Sequence, residues 1–176
     1  MRTKKIAWEK VKLLAMDIDG VLTAGQLIIL PDGNEIKIWN VKDRLAFGLL
    51  KKSALDIKVV WITGRGGQDV QARASEVGVD ELFEKTMNKR EILKNISDKY
   101  KIRREEICFV GDDLADLGAL RFAGLAVCPQ DAPAEIKKEC DYIAGSAGGR
   151  GVLREVIEKI LRAHKVWEKI VELYDR

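Results

Sequence analysis

Two aspartates stand two positions apart in Asp17-Ile18-Asp19-Gly20, and a second acidic group recurs far along the chain in Gly111-Asp112-Asp113-Leu114-Ala115-Asp116. Neighbouring carboxylates repel one another unless a cation or several hydrogen-bond donors offset the charge. The chain holds one histidine, His164, so a histidine-rich metal site is excluded. Carboxylates without imidazole suit a hard, oxygen-preferring ion such as Mg2+. Between the two acidic groups lie a hydroxyl, Thr63 in Thr63-Gly64-Arg65, and an ammonium, Lys89. Both are donors suited to phosphate oxygens. Two carboxylates two residues apart in a strand project to the same side, so one can act as nucleophile while the other handles a proton. Together these residue types make up a phosphoryl-transfer set.

Residues so scattered can meet only if the fold gathers several strand ends. Short apolar runs read as strands over Lys12 to Ile18, Ile57 to Ile62, Leu82-Phe83, Glu106 to Val110, Leu125 to Val127 and Asp141 to Ile143. Amphipathic runs read as helices over Leu45 to Leu55, Gln68 to Val77, Lys89 to Tyr100 and Ala115 to Ala123. A further helix starts at Pro133, and a C-terminal helix of up to about six turns runs from Gly151 to about residue 174. This alternation predicts an α/β fold: a parallel sheet with helices on both faces, binding its ligand at the carboxyl ends of the strands. Asp17, Thr63 and Asp112 all fall there. One segment breaks the alternation. Gln26 to Val41 reads as a protruding hairpin turning at Pro31-Asp32-Gly33-Asn34. Its arm Leu27-Ile28-Ile29-Leu30 is apolar on both faces, which predicts self-association through the hairpin.

Composition narrows the class. The chain has 176 residues, 47% hydrophobic and 34% charged, with a net charge of +3. One domain spanning residues 1–176 is expected, with the hairpin inserted at about 25–41. The small, evenly spread charge argues against nucleic acid as a partner. No apolar run approaches the length of a membrane span, and no apolar signal core follows the basic N-terminus, so a cytoplasmic protein is expected. Cys108, Cys128 and Cys140 form no Cys-x-x-Cys pair and read as reduced, buried thiols. Two gaps bear on the site's cover. Asp19 to Asp43 spans 24 positions and Thr63 to Lys89 spans 26, too few for a lid domain of about 50 residues or more. The Gly-rich loop from Gly145 to Gly151 is the candidate cover instead, with Arg150 able to reach a substrate carboxylate.

The four motifs, in this order, resemble the haloacid dehalogenase (HAD) superfamily of phosphatases. Asp17-Ile18-Asp19-Gly20 looks like its first motif, Thr63 its second, Lys89 its third and Gly111-Asp112-Asp113-x-x-Asp116 its fourth. Further segments are similar to the 3-deoxy-D-manno-octulosonate 8-phosphate (KDO 8-phosphate) phosphatase family. They are Gly33-x-Glu35, Asn40-Val41-Lys42-Asp43, Asn88-Lys89 and Ala147-Gly148-Gly149-Arg150-Gly151-x-x-Arg154-Glu155-Val156. The resemblance implies a capless, Rossmann-like HAD fold and a homotetramer joined through the hairpins. It also implies a role in lipopolysaccharide sugar synthesis.

The same resemblance implies roles for single residues. Asp17 would attack phosphorus to form an aspartyl phosphate, and Asp19 would protonate the departing sugar oxygen and then deprotonate water. Mg2+ would be held by Asp17, the backbone carbonyl of Asp19 and Asp112. Thr63 and Lys89 would hold the transferring group, with Asp113 behind the metal ligands and Asp116 orienting Lys89. Asn40, Val41, Lys42, Asp43 and Arg44 would line the sugar pocket, with Asp19 and Lys89 reaching the substrate as well. Arg65, Arg73 and Arg150 would contact the sugar acid. The chain departs from the family where Arg44-Leu45-Ala46-Phe47-Gly48 replaces the usual Gly-x-Gly and later basic residue, and where Glu84-Lys85 replaces Gln-Gly. The sugar is therefore open, and a nonulosonate 9-phosphate is an alternative. A receiver-like phospho-acceptor module is the alternative of another class.

Overall fold

Strand β1 (Leu13–Met16) is buried at every position, as a strand covered on both faces must be. The computed structural model describes residues 6–33 and 35–175. A six-stranded parallel sheet runs through it, formed by β1 with the later strands β4 (Lys58–Ile62), β5 (Glu81–Phe83), β6 (Ile107–Val110), β7 (Leu125–Cys128) and β8 (Tyr142–Ile143). Its spatial order is β5-β4-β1-β6-β7-β8. The chain builds outward from β1 first to one side and then to the other. The strand order therefore reverses at β1, and the crevice beyond its carboxyl end is where such sheets bind ligands.

Alternation along each strand divides the core between the two faces. Leu14, Met16, Val59, Trp61, Cys108 and Val110 face one side. There they meet α1 (Val41–Lys52), α2 (Gln68–Val77), α6 (Val152–Ala163) and α7 (Trp167–Glu172). Leu13, Ala15, Val60, Ile62, Ile107 and Phe109 face the other side. They pack against α3 (Lys89–Tyr100), α4 (Leu117–Phe122) and the short α5 (Ala134–Lys137). Cys108 and Cys128 are buried, and Cys140 is half-buried. No helix among the described residues is long and apolar enough to cross a membrane.

Two helices differ from their expected spans. Helix α1 starts at Val41 rather than Leu45, because the Asn40 side chain accepts the Lys42 amide at 2.9 Å and caps the first turn. The expected continuous C-terminal helix breaks between α6 and α7. There Lys165 takes a left-handed φ of 58°, the Lys165 amide donates to the Arg162 carbonyl and the Val166 amide to Leu161. That is a Schellman turn, and it redirects the chain so that Trp167 and Ile170 return to the core while Val171 and Tyr174 stay exposed. Trp167 and Ile170 thus pack within their own chain's core.

The hairpin is short: β2 (Ile28–Ile29) pairs antiparallel with β3 (Glu35–Ile36). Gly33 closes its turn at φ 83°, with its amide donated to the Leu30 carbonyl, while Asn34 lies outside the described residues. Leu27, Ile28, Ile29 and Leu30 are all exposed. Among the described residues no lid domain stands in either gap: the first holds the hairpin, and the second holds α2 and β5.

Candidate active site

Asp17 directly follows β1, its amide donated to the Val110 carbonyl of the neighbouring strand at 3.0 Å. Beyond it the chain leaves the sheet. The Ile18 carbonyl accepts the amides of Val21, Leu22 and Thr23, coiling residues 18–23 into a tight turn. Asp19 therefore sits in a turn, not in an extended strand as the spacing suggested, and the strand rule does not set its direction. Gly20 holds that turn at φ 91°, and a Cβ there would lie 2.0 Å from Asp112 Oδ2. Only glycine lets Asp112 approach the first motif so closely.

Lys89 opens α3, just after the Asn88 cap, and its ammonium is buried between two carboxylates. It lies 2.8 Å from Asp17 Oδ1 and 2.6 Å from Asp116 Oδ1. Burial alone would lower the Lys89 pKa, but Asp116 and Asp17 more than offset this and hold it above the ordinary value. Asp116 is itself fully buried, and its second oxygen accepts the amides of Asp112 (2.9 Å) and Asp113 (3.4 Å). It thereby ties the fourth motif to the third. Asp113 is exposed and caps the following turn through the Leu114 amide.

The acid cluster carries more negative charge than Lys89 neutralises. Oxygens of Asp17, Asp112 and Asp116 all lie within 4.8 Å of one another. Burial, then Asp116, raises Asp17 to about 6. Burial, followed by Asp116, Asp17 and Asp113, raises Asp112 to about 8. The Asp112 Oδ1 atom is buried and has no hydrogen-bond partner. A crowded set of hard oxygens with one left unpaired fits a divalent cation that prefers oxygen, held by Asp17 and Asp112.

Thr63 follows β4 and is buried; its hydroxyl oxygen accepts the Arg65 amide at 3.1 Å. The outer residues divide. Arg65 pairs with Glu35 of the hairpin at 2.8 Å. Arg44 and Arg73 converge on one carboxylate, Glu76, and Arg73 also lies over the Trp39 ring at 5.5 Å. Val41 is exposed, while Asn40 donates to the Gly149 carbonyl at 2.9 Å. Asp43 turns inward, where its Oδ1 accepts the Arg154 amide at 2.8 Å. It serves there as a borrowed cap for α6, and burial raises it to about 6. Lys42 and Arg150 line a cleft of about 380 Å³ with Arg154, Lys159 and Arg162, whose walls include neither Asp17 nor Lys89. The loop beside Arg150 lies on the first motif: a Cβ at Gly148 would sit 2.0 Å from the Gly20 carbonyl oxygen.

Sequence reasoning passed over Lys37 and Glu76, and took Glu35 only as part of a family motif. Lys37 reaches from the hairpin to Asp19, its ammonium 2.5 Å from Oδ1. The alternation Ile36-Lys37-Ile38 was the available signal, since it turns the lysine to the face opposite two apolar side chains.

A buried aspartate at the switch point, joined through Lys89 to Asp116 of the fourth motif, is an arrangement suited to phosphoryl transfer. Residues 51–156 match the family model of haloacid dehalogenase-like hydrolases, and the chain belongs to that family. It is 36% identical over 155 residues to the 3-deoxy-D-manno-octulosonate 8-phosphate phosphatase KdsC of Escherichia coli (strain K12), covering 88% of this chain and 81% of that protein. Among solved structures, it is similar to the 3-deoxy-D-manno-octulosonate 8-phosphate phosphatase of Moraxella catarrhalis, in complex with magnesium, phosphate and KDO. That likeness has a TM-score of 0.91 at 34% identity, over 96% of this chain and 95% of that one. The cobalt-bound phosphatase of Haemophilus influenzae follows at a TM-score of 0.87 and 30% identity, over 92% and 93% of the two chains.

Proposed function

We propose that this protein is a Mg2+-dependent phosphomonoesterase that hydrolyses KDO 8-phosphate to KDO and phosphate, in lipopolysaccharide biosynthesis. The observation that carries the reaction is the Lys89 ammonium shared by Asp17 and Asp116, two acids clustered with Asp112, whose Oδ1 is buried without a hydrogen-bond partner. The substrate is supported by the likeness to KdsC over most of both chains.

In the first half-reaction an Asp17 carboxylate oxygen forms a bond to phosphorus as the bond to the sugar oxygen breaks, leaving an aspartyl phosphate. Asp19 supplies the proton that the departing alkoxide takes up. In the second, Asp19 takes a proton from water, whose oxygen attacks phosphorus and frees Asp17 and inorganic phosphate. Lys89 and the Thr63 hydroxyl donate to the phosphoryl oxygens, and Asp116 orients Lys89. Asp17, the Asp19 carbonyl and Asp112, with Asp113 behind them, would hold Mg2+, which would supply Lewis-acid charge neutralisation at the phosphoryl group. Asn40, Val41, Lys42, Asp43 and Arg44 belong to the sugar side of the site in this reading. Arg65, Arg73 and Arg150 receive the sugar carboxylate, for which Arg73 must exchange Glu76.

The exposed Leu27, Ile28, Ile29, Leu30, Ile36 and Ile38 support a homo-oligomer joined by the hairpin, a tetramer on the family resemblance. The reading puts the enzyme in the cytoplasm. Phosphate release from a panel of sugar-acid phosphates, with Mg2+ and with chelator, tests the proposal. Mg2+-dependent turnover of KDO 8-phosphate that Asp17→Asn abolishes is expected. Preference for a nonulosonate 9-phosphate would move the substrate but not the chemistry. A long-lived phosphoprotein without turnover would favour the receiver-like alternative.

A further inference from the structure

Among the described residues two lysines are buried, Lys89 and Lys37. The mechanism uses the first and leaves the second unexplained. Lys37 follows β3 in a hairpin that otherwise shows apolar side chains to solvent. Ile36 and Ile38, on either side, are 44% and 65% exposed, whereas the Lys37 side chain is 2% exposed. Taking an ammonium out of water is costly unless a carboxylate meets it. The carboxylate that meets this one is Asp19, at 2.5 Å.

Among the described residues Asp19 has little else to fix it. It lies in a turn whose amides at 21, 22 and 23 are all spent on the Ile18 carbonyl. Its other side-chain partner, the Thr23 hydroxyl, is 3.5 Å away, at the limit of a hydrogen bond. A carboxylate on such a turn is free to rotate, and proton transfer in a phosphoryl-transfer site needs it at one angle.

On the phosphatase reading above, we infer that Lys37 is a positioning residue. It clamps Asp19 through Oδ1 and so leaves Oδ2 to exchange the proton with the sugar oxygen and then with water. The hairpin thereby becomes part of the active site through one side chain, while its opposite face stays apolar.

The test compares two substrates that differ in their need for a proton. A sugar alkoxide is a poor leaving group and requires the Asp19 proton, whereas p-nitrophenolate departs without it. In Lys37→Met, kcat/KM for the sugar phosphate should fall by roughly 100-fold, in line with general acid catalysis. For p-nitrophenyl phosphate, the fall should stay within about 5-fold, since phosphoryl transfer to Asp17 still proceeds. Asp19→Asn should show the same split. The double variant Lys37→Met/Asp19→Asn should be no worse than Asp19→Asn, because a residue acting through Asp19 has nothing left to act on. Lys37→Arg should recover part of the loss. Should Lys37→Met fold poorly, Lys37→Gln carries the same comparison, and its split must match. Equal losses on both substrates, or additive losses in the double variant, would overturn the inference. Wild-type protein inactive on every sugar phosphate would instead refute the phosphatase reading itself.

Discussion

Asp112→Asn should make the chelator-treated protein more stable while removing its response to Mg2+. Asp112 shares its surroundings with Asp17, Asp116 and Asp113, and burial with that repulsion carries its carboxyl from 3.8 to about 8. Between these limits the unfolded chain has released the proton and the folded chain has kept it. The unfolded state binds fewer protons there, so stability falls as pH rises from about 4 to 8, and is level above that. At pH 7 the difference is a ceiling of about 4 kcal/mol, at about 1.4 kcal/mol for each pH interval crossed above 3.8. Solvent reaches this half-buried side chain, so half of that, about 2 kcal/mol, is the expected gain from an uncharged isostere. In a chain of this size it corresponds to a rise in Tm of about 4–8 °C. Thermal melts of both proteins in chelator at pH 5 and pH 8 provide the assay, followed by Mg2+ addition at pH 8. The variant should melt higher than wild type at pH 8, with a smaller gap at pH 5. Only wild type should gain from Mg2+, because ion binding to the folded state alone raises stability. A variant that melts lower in chelator at pH 8, or wild type whose stability climbs between pH 5 and 8, would refute the crowding argument.

Lys89→Met strands Asp17 and Asp116 without their shared counter-ion. It should cost about 3–5 kcal/mol in denaturant titrations as well as abolishing phosphate release. Gly148→Ala forces a methyl group to 2.0 Å from the Gly20 carbonyl oxygen, so a loss of about 1–3 kcal/mol is expected by thermal melting. Activity should fall with it, because the displaced turn carries Asp19. If the hairpins join copies of the chain as proposed, replacing Ile29 or Ile38, each 65% exposed, with Asp should dissociate that oligomer in sedimentation velocity and leave the circular dichroism of the subunit unchanged.

Much of this architecture is legible in one dimension. Alternating apolar and amphipathic runs dictate a parallel sheet, because helical crossovers are how neighbouring parallel strands are joined. Once β1, β4 and β6 lie side by side, the residues that follow them must share one edge. Asp17, Thr63 and Asp112 therefore meet there by chain order alone. The motif carboxylates and the single histidine likewise set the kind of ion that such an edge can hold.

What the sequence could not reveal depends on contacts between distant segments. Asp43 reads from its motif only as a pocket residue, but it also accepts an amide 111 positions away and holds the start of α6. Arg44 and Arg73 look like free cations until the packing of α1 beside α2 gives them Glu76 to share. The end of α6 follows from a left-handed Lys165 that no proline or glycine announces, since turning there buries Trp167 and Ile170. Lys37 meets Asp19 only because the hairpin folds back over the first motif. Local pattern settles what each segment becomes, because side-chain period and backbone preference act within a few residues. Which charge finds which partner is settled by burial, and burial exists only once the segments are assembled.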